Sequence, residues 1–307
     1  MKVITSLDHI KMNANTGIAL GNFDGLHIGH QALIVNLVET CKKNNLKSVV
    51  YTFSNHPKGL TGKGNEPKRI ITHKQKIELL SSLGVDYVVF IEFDEYQMKL
   101  DPTVFVRDVL KGILNMAYCI VGFNYKFGYK AQGNVELLEK FKNEYSYDLM
   151  VIKALNIQEQ VISSTKIREF IRSGNIRKAN LFLGRKYSIV GKIVHGKSNG
   201  RKFGFPTANI KLDSTLILPS EGVYFTKSIL CNKIYNSITN VGFNPTIGSE
   251  SINVETHILD FDQDIYGKEI EVFFIEKVRD EMKYSSTNDL IAQLHKDIES
   301  AKNFFSI

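Results

Sequence analysis

The stretch that decides the fold of the first half of the chain is GIALGNFDGLHIGH, residues 17–30. Its first four residues form a short apolar run that stops at Gly21, and apolar residues then recur at helical spacing from Leu33 to Cys41. The stretch therefore predicts a buried strand, a glycine-rich turn and the start of a helix. At the carboxyl end of a parallel strand, such a helix N-terminus attracts phosphate through its free N–H groups and its dipole.

Strand and helix signals continue to alternate through the first half of the chain. Further short apolar runs predict strands at 49–53, 87–91, 118–121 and 149–152. Between them, helical spacing predicts one helix around Ile77–Leu83 and another over 101–113, where proline follows an aspartate cap. Near-continuous apolar strands that alternate with helices favour a parallel sheet covered on both faces. We therefore expect an α/β, Rossmann-like domain over residues 1–183.

The pattern changes near residue 184, after two short helices that are predicted to end at Gly174 and Gly184. Short strands separated by glycine, proline and asparagine follow, at roughly 187–195, 205–211, 223–230, 234–241, 252–261 and 269–276. Six strands without intervening helices predict a small antiparallel barrel. An apolar stripe from Leu290 to Ala301 predicts a terminal helix. The second domain is accordingly expected over 184–307.

Composition places the chain among ordinary globular proteins. Of 307 residues, 43% are hydrophobic and 23% charged, which argues against a disordered or fibrous chain. Subtracting 32 acidic from 39 basic residues gives +7, which suits a nucleotide, a nucleic acid or a phosphorylated substrate. Neither a signal peptide in Met1–Asp8 nor an uncharged apolar run of membrane-spanning length is seen. Three isolated cysteines predict buried free thiols in a cytoplasmic protein: Cys41, Cys119 and Cys231.

The HxGH pattern at 27–30 places two imidazoles beside the predicted phosphate site. Transfer of a nucleotidyl group needs aligned reactants and donors that meet growing negative charge, but no covalent nucleophile. His27 and His30 are therefore candidate catalytic residues, and Gly29 leaves room for a ligand to approach the backbone. The stretch ISSTKIR, residues 162–168, adds capping hydroxyls and two cations at a helix start. Alone it favours an ordinary capped helix with surface charges.

A second phosphate signal lies in the other half of the chain. Residues 191–198 match GxxxxGK[ST], but their middle predicts strand and the following glycines and proline cannot start a helix, so we reject a P-loop. The next stretch, GRKFGFPTAN at 200–209, combines glycines and basic residues that can wrap polyphosphate through backbone N–H groups. Thr207 and Asn209 share one face of a predicted strand and supply oxygen ligands suited to Mg²⁺ carrying ATP.

These motifs together resemble bacterial bifunctional riboflavin kinase/FAD synthetases over nearly the whole chain. In the first half the resemblance rests on GNFDGLHIGH (21–30), TFSNHP (52–57), GFNYKFG (122–128) and ISSTKIR (162–168). In the second half it rests on GFPTAN (204–209), NVGFNPT (240–246), Tyr266-Gly267 and Val278-Arg279. The resemblance implies an FMN adenylyltransferase domain followed by a riboflavin kinase domain. Asn55, where the family usually has proline, and Asn124-Tyr125, where it often has Asp-Phe, depart from the pattern.

The resemblance also implies roles for individual residues. Glu255, on an alternating strand, would be the general base that takes the proton of the ribityl 5′-hydroxyl. The implied flavin-binding residues are His56, Pro57 and Arg279. The implied nucleotide-binding residues are Gly21, Phe23, Gly25, Gly29, Asn124, Ser164, Thr165, Lys166, Arg168, Gly196, Lys197, Arg201 and Gly204. The expected cofactor is Mg²⁺ with ATP, bound through Thr207 and Asn209, and the expected partners are riboflavin, FMN and ATP. Neither a nucleic acid nor a membrane is expected as a partner, and the chain is expected to be a monomer or weak homo-oligomer.

Several other functions stay open at this point. One is a monofunctional FMN adenylyltransferase with a silent kinase domain, and another is an adenylyltransferase for a different phosphate acceptor. A third, of another class, is an RNA-binding or flavin-sensing module without turnover, which a strongly salt-dependent RNA affinity would reveal. The letters HIGH at 27–30 also occur in class I aminoacyl-tRNA synthetases, but the chain contains no KMSKS and is short.

Overall fold

The computed structural model describes residues 1–55, 66–196, 204–246 and 249–306, and of 243–246 and 249–252 the backbone alone. Contacts within it define two compact units, Met1–Ser164 and Thr165–Ile307. The second unit therefore includes residues that precede position 184. The last two residues of the rejected P-loop pattern, 197 and 198, lie outside the described residues.

The first unit is built on a parallel sheet, as the sequence predicts. Its strands are β1 Lys2–Ile4, β2 Thr16–Leu20, β3 Lys47–Phe53, β4 Tyr87–Ile91, β5 Met116–Gly122 and β6 Asp148–Ile152. They lie in the order β1-β4-β3-β2-β5-β6, with parallel pairing throughout. The helices are α1 Ile28–Lys43, α2 His73–Ser82, α3 Glu95–Lys99, α4 Pro102–Val104 and α5 Val135–Glu144. The short hairpin of β7 Asn156–Ile157 and β8 Gln160–Val161 completes the unit, and neither it nor β1, α3 and α5 is predicted from the sequence.

The central strand β2 is buried along its whole length. It pairs with β3 on one side and β5 on the other, and α1 packs across all three strands. The opposite face is covered by an apolar cluster in which Ile18 and Leu20 meet Phe105 and Leu110. A strand covered on both faces has room mainly for apolar side chains, which explains the run Gly17–Leu20, while the one buried polar residue, Thr16, donates its hydroxyl hydrogen to the Leu114 carbonyl.

The helix predicted over 101–113 exists, but its hydrogen bonding differs from that of an α-helix. Asp101 caps its start by accepting hydrogen bonds from the backbone N–H of Thr103 (2.8 Å) and Val104 (3.2 Å). After α4, residues Phe105–Ile113 form a π-helix. Its buried residues are Phe105, Val106, Val109 and Leu110, a spacing that fits either kind of helix. The apolar pattern therefore could not reveal the wider turn.

The second unit contains the predicted antiparallel barrel. Its strands are β9 Tyr187–Val194, β10 Ala208–Lys211, β11 Gly222–Leu230, β12 Lys233–Thr246, β13 Ser249–Ile258 and β14 Glu269–Arg279. The sheet closes in the order β10-β13-β12-β11-β14-β9. Its helices are α6 Ser164–Arg172, α7 Ile176–Leu183 and the terminal α8 Thr287–Phe305, whose N-cap is Ser286. Both the barrel and the terminal helix confirm the prediction.

The two faces of the barrel wall differ in chemistry. On the outer face, Val223, Phe225, Ile238 and Leu259 form a cluster with Ala301 of α8. Alternating with this face, five fully buried hydroxyl groups form a hydrogen-bonded chain with oxygen–oxygen distances of 2.8–2.9 Å: Ser228, Ser237, Thr226, Thr239 and Thr256. Because side chains alternate along a strand, this chain lies inside the barrel. The interior thus contains a hydroxyl chain that satisfies its own hydrogen bonds, among apolar side chains such as Ile189, Val254 and Val272.

The cysteine prediction is correct at two positions and wrong at the third. Cys41 and Cys119 are buried free thiols, whereas Cys231 is exposed. Cys231 and Asn232 form the two-residue connection between β11 and β12, with φ of 49° and 61°. A hairpin turn of this length requires positive φ at both positions and faces solvent. The apolar residues before Cys231 belong to β11, so its apolar sequence context was misleading.

We expect Asn180→Leu to destabilise the second unit, because Asn180 connects α7 to two barrel strands. Its side chain accepts a hydrogen bond from the Tyr187 N–H (2.6 Å) and donates one to the Phe274 carbonyl (3.0 Å), and all three residues are buried. Leaving buried hydrogen-bonding groups without a partner in this way lowers the free energy of unfolding by about 1–3 kcal/mol. Urea unfolding followed by circular dichroism measures the change. Leu181→Ala, an exposed change on the same helix, is the control, and an equal loss in both variants would contradict the assignment.

Candidate active sites

The turn that follows β2 is fixed by hydrogen bonds from neighbouring elements. The carbonyl oxygen of Asn22 accepts hydrogen bonds from Thr52 Oγ1 (3.0 Å) and from Lys76 Nζ (2.9 Å). The buried carboxylate of Asp24 accepts one from the backbone N–H of Ile70, at 3.1 and 3.3 Å to its two oxygens. The end of β3 and the start of α2 therefore fix the glycine-rich turn.

The backbone of this turn passes through the left-handed region at three positions. Gly25 has φ of 78°, and a Cβ there would lie 2.9 Å from the Ile70 side chain, so glycine is required. Phe23 and Leu26 also have positive φ, 48° and 39°, which is uncommon for large side chains. The Phe23 ring is buried and meets the His30 ring edge-on at 5.3 Å. The turn thus has an unfavourable backbone conformation that contacts with surrounding residues must stabilise.

The two predicted catalytic histidines lie directly against each other at the start of α1. Their rings stack with centroids 3.5 Å apart. His27 is the N-cap, because its Nδ1 accepts a hydrogen bond from the His30 backbone N–H at 3.2 Å. Burial, followed by the proximity of His27 and Lys76, holds the pKa of His30 well below its usual value. At neutral pH the His30 imidazole is therefore uncharged.

The His30 ring has unused hydrogen-bonding capacity. Its buried Nδ1 makes no hydrogen bond to any residue that the structure describes. Buried polar atoms in folded proteins are rarely left without a partner. A neutral imidazole with one open ring nitrogen, beside a helix N-terminus, is suited to contacting an anionic ligand. Gly29 adjoins this pair, since a Cβ there would approach the His27 ring to 3.3 Å.

Two further predicted residues of the first unit lie around the same edge. Ser164 Oγ donates a hydrogen bond to the Asp24 carbonyl at 2.8 Å, so the hydroxyl of the second motif contacts the turn. Asn124 is exposed in the turn after β5, the strand beside β2, and is therefore at the same sheet edge. Gly21, at the end of β2, would place a Cβ 2.9 Å from the Phe23 ring. Three predicted motifs thus converge on one edge.

The remaining predicted residues of this site lie on α6 or outside the described residues. Thr165, Lys166 and Arg168 belong to the second unit, on α6. Lys166 Nζ forms an ion pair with Glu169 at 2.9 Å, and Arg168 is buried. His56 and Pro57 lie outside the described residues.

Asn55 shows how the chain accommodates its departure from the usual proline. Its amide donates a hydrogen bond to the Phe93 carbonyl (2.9 Å) and accepts one from the Phe93 N–H (2.7 Å). The pair follows a backbone bond from Ser54 N–H to the Ile91 carbonyl (2.9 Å), so the side chain extends the pairing of β3 with β4. Proline, without an amide side chain, could not form this pair.

The second candidate site is a polar cluster on the outer face of the barrel. Asn209 on β10 lies opposite Glu255 on β13. Thr207 Oγ1 donates a hydrogen bond to Glu255 Oε2 at 3.2 Å. Asn253, which the sequence did not predict, donates to Glu255 Oε1 at 2.6 Å and to Asn209 Oδ1 at 3.4 Å. Its position two residues before Glu255 on the same strand is the signal that could have identified it.

Strand alternation brings these side chains together and separates them from the barrel interior. The residues between them, Ala208 on β10 and Val254 on β13, are buried. Gly196 packs against the Asn209 amide, and a Cβ there would lie 2.2 Å from Asn209 Nδ2, so a larger residue would displace the amide. Gly204, at φ of 85°, lies three residues before Thr207. Lys197 and Arg201 lie outside the described residues.

A cavity of about 690 Å³ opens beside this cluster, a volume typical of small-molecule sites. One side is formed by Gly196, Gly204, Thr207 and Asn209, and the other by the loop 260–266. Within it, the Tyr266 ring stacks on His195 with centroids 3.8 Å apart. Glu255 connects to the cavity through its hydrogen bond with Thr207. The cavity thus adjoins the predicted base and both predicted metal ligands.

Arg279 occupies a different environment from the one expected for a ligand contact. Its guanidinium donates to both carboxylate oxygens of Asp297 on α8, with Nη2–Oδ2 at 2.7 Å and Nε–Oδ1 at 3.0 Å. Gln293 Nε2 donates to the same carboxylate at 2.8 Å. Arg279 therefore ties β14 to the terminal helix, and its contact with flavin stays a prediction.

The donor set of the barrel site fits a magnesium ion only together with a substrate. Within the described ranges, no three His, Cys, Asp or Glu side chains are close enough to hold a metal. Thr207 Oγ1 and Asn209 Oδ1 supply hard oxygen ligands on one face, next to the Glu255 carboxylate. Mg²⁺ is commonly held by few protein oxygens plus substrate phosphates, which this arrangement permits.

Comparison with known proteins identifies the class of enzyme. The family described as FAD synthetase matches residues 9–166, and the family described as riboflavin kinase matches 183–305. The bifunctional riboflavin kinase/FMN adenylyltransferase of Buchnera aphidicola subsp. Schizaphis graminum is 37% identical over 312 residues, covering 100% of both chains. The enzyme of the same name from Escherichia coli K12 is 33% identical, covering 100% of this chain and 99% of its own. The chain belongs to the bifunctional riboflavin kinase/FMN adenylyltransferase family.

A solved structure agrees with the fold over both units. The crystal structure titled macrolide-efflux protein, from Streptococcus pneumoniae, has a TM-score of 0.90 at 30% identity and covers 98% of both chains. That title concerns the pneumococcal protein, whereas both family matches and the full-length relatives describe flavin enzymes. No helix among the described residues is long and apolar enough to cross a membrane. From the two family matches and these relatives, the chain is an enzyme with both family activities, which use ATP and flavins.

We expect His27→Asn to raise the pKa of His30. Asparagine keeps a side-chain acceptor at the N-cap but removes the stacked imidazole that helps to lower the pKa of His30. Burial and Lys76 remain, so the pKa should rise while staying below the usual value. Titration of the His30 Cε1–H resonance by NMR measures it. A pKa that is unchanged or lower would show that the stacked ring does not act on His30.

Proposed function

We propose that the two reactions of the family are divided between the two polar clusters. The turn at 21–30 would carry adenylylation of FMN, within a domain 1–183. The cluster of Thr207, Asn209 and Glu255 would carry phosphorylation of riboflavin, within a domain 184–307. The observation that carries this division is the chemistry of each cluster: neutral donors at a helix N-terminus in one, and a carboxylate beside hard oxygen ligands in the other.

Adenylylation fits the first cluster because its nucleophile is already ionised. A phosphate oxygen of FMN attacks the α-phosphorus of ATP, the new phosphoanhydride bond forms, and the bond to the departing pyrophosphate breaks. No proton has to be removed from the attacking oxygen. The α1 N-terminus and the imidazoles of His27 and His30 would meet the negative charge that develops on the transferred phosphate. Ser164, Thr165, Lys166 and Arg168 of the second motif are proposed to assist.

Phosphorylation of riboflavin fits the second cluster because a hydroxyl is a poor nucleophile at neutral pH. Glu255 would take the proton of the ribityl 5′-hydroxyl while that oxygen attacks the γ-phosphorus of ATP and the bond to ADP breaks. Two donors, Thr207 and Asn253, orient its carboxylate. The Thr207 hydroxyl can keep this hydrogen bond while a lone pair of its oxygen faces a cation. Asn209, opposite Glu255, supplies a second oxygen on that face.

The proposed cofactor is Mg²⁺ with ATP. Thr207 and Asn209 would hold the ion, which when bound neutralises phosphate oxygens and so favours transfer. The remaining partners are small molecules: riboflavin, FMN and ATP. The basic surplus of the chain matches these anionic substrates, so no nucleic acid is needed to explain it. Because both reactions consume ATP, we propose that the enzyme works in the cytoplasm, as a monomer or weak homo-oligomer.

One chromatographic experiment tests both activities. The full-length protein is incubated with riboflavin, ATP and Mg²⁺, and separately with FMN in place of riboflavin. We expect FMN and FAD in the first mixture and FAD in the second. FAD from FMN without any FMN from riboflavin would instead support a monofunctional enzyme with a silent kinase domain. Neither product would refute the proposal.

We expect His30→Ala to lower FAD formation from FMN by about 10²-fold or more, the scale for losing one preorganised donor. FMN formation from riboflavin should persist, because it is assigned to the other cluster. Initial rates of both reactions, measured on one preparation, give the comparison. Parallel loss of both activities in a folded variant would contradict the division.

We expect Glu255→Gln to produce the reverse pattern. Glutamine keeps the size and most hydrogen bonds of the side chain but lacks the basic oxygen, so FMN formation should fall by about 10²- to 10⁴-fold. FAD formation from supplied FMN should be unchanged, because its nucleophile needs no base. The same two assays measure both rates. Near-normal FMN formation would remove Glu255 from the mechanism and direct the search to Asp260, Asp262 or water.

A further inference from the structure

A buried lysine lies beneath the turn and has no role in the proposed chemistry. Lys76, on α2, is only 5% exposed. Its ammonium group contacts the Phe90 ring, 5.4 Å from the centroid, and donates to the Asn22 carbonyl at 2.9 Å. This is its one hydrogen-bond acceptor in the part of the chain that the structure describes. Removing an ammonium group from water is unfavourable, so its retention here calls for an explanation.

The explanation lies in the peptide that Lys76 holds. Rotation about φ of Phe23 turns the Asn22–Phe23 peptide plane, and this φ is 48°. A large aromatic residue adopts that conformation only when its surroundings enforce it. The hydrogen bonds from Lys76 and Thr52 occupy both lone pairs of the Asn22 oxygen and fix the plane.

Fixing this plane decides where the Phe23 N–H points. The C=O and N–H of a trans peptide point in opposite directions, and the described residues contain no cis peptide. With the Asn22 oxygen directed at the buried ammonium, the Phe23 N–H is directed away from it. Among the described residues, this N–H has no hydrogen-bond acceptor. It is a free donor in the turn that leads into α1, where phosphate is expected to bind.

We propose that Lys76 is a positioning residue for adenylyl transfer, which holds the Asn22–Phe23 peptide so that the Phe23 N–H faces the nucleotide phosphates. This inference rests on the proposed assignment of adenylylation to the turn. Without the ammonium group, the peptide is free to rotate toward negative φ, and the donor turns away. The Asn22 oxygen would then keep only the hydrogen bond from Thr52.

The charge of Lys76 gives this role a pH signature. Burial lowers the pKa of Lys76 to about 8, Asp24 opposes this effect and Arg69 adds to it. The other titratable groups near it are His30, on which the charge of Lys76 acts, the His27 ring stacked on His30, and His73, whose ring meets the Phe90 ring that Lys76 also contacts. A lowered lysine pKa means that the charge is present below about pH 8 and is lost as pH rises through that value. The ammonium then becomes an amine, which donates a weaker hydrogen bond.

Three variants of the full-length protein test the inference. Lys76→Met keeps the length of the side chain without its charge, Lys76→Arg keeps the charge at every accessible pH, and Lys74→Met removes an exposed charge from the same helix. We expect Lys76→Met to lower kcat for FAD formation by about 10- to 100-fold, the scale of a misplaced reacting group. FMN formation from riboflavin should equal that of wild type in all three, and Lys74→Met should leave FAD formation unchanged.

The pH profile of FAD formation separates positioning from a structural role. Wild type should lose activity as pH rises through about 8, and Lys76→Arg should keep its activity to higher pH. Wild-type rates in Lys76→Met, equal loss in Lys74→Met, or an unchanged alkaline limb in Lys76→Arg would each overturn the inference. If Lys76→Met fails to fold and loses both activities, the pH profile of Lys76→Arg decides whether the inference holds.

The variant His30→Ala separates the inference from the proposed function on which it rests. Full activity of His30→Ala would refute the proposed function. An inactive His30→Ala together with an active Lys76→Met would refute the inference alone.

Discussion

Complete burial of the central strand β2 is the constraint on which the first unit depends. A strand flanked by β3 and β5 and covered on both faces has room for polar chemistry only beyond its ends. Its carboxyl end meets the turn, the start of α1 and the ends of both neighbouring strands. Side chains as distant in sequence as Thr52, Lys76 and Ser164 therefore contact one ten-residue stretch. The tight backbone of the turn depends on these contacts.

In the barrel, polar side chains that could act on a substrate are placed in a different way. Its interior contains the buried hydroxyl chain from Ser228 to Thr256, which satisfies its own hydrogen bonds among buried apolar side chains. The side chains proposed to react lie on the outer face, where Asn209 and Glu255 sit opposite each other on β10 and β13. Each alternates with an inward residue, so the rigid interior fixes the outer cluster. The resulting site is assembled by strand pairing rather than by a helix N-terminus.

Sequence patterns predicted the elements that repeat and missed those that depend on tertiary contacts. Apolar periodicity was sufficient for the parallel sheet and the barrel, and local motifs selected His27, His30, Thr207 and Glu255 as candidates whose roles stay predictions. The π-helix was not predictable, because its apolar spacing also fits an α-helix. The part played by Lys76 was hidden too, since on α2 it reads as an ordinary surface lysine until the fold buries it under the turn.

The two clusters also differ in how they treat charge, and substrate chemistry explains the difference. The reactants proposed for the turn are anions, and the His30 ring, stacked on His27, is neutral because burial holds the pKa of His30 low. A neutral donor can bind a phosphate and release an anionic product without forming a strong ion pair. In the proposed reaction the barrel cluster instead removes a proton from a neutral hydroxyl, a step suited to a carboxylate. Glu255 lies outside the barrel interior and is oriented by Thr207 and Asn253, so the proposed base is held in place while only half-buried.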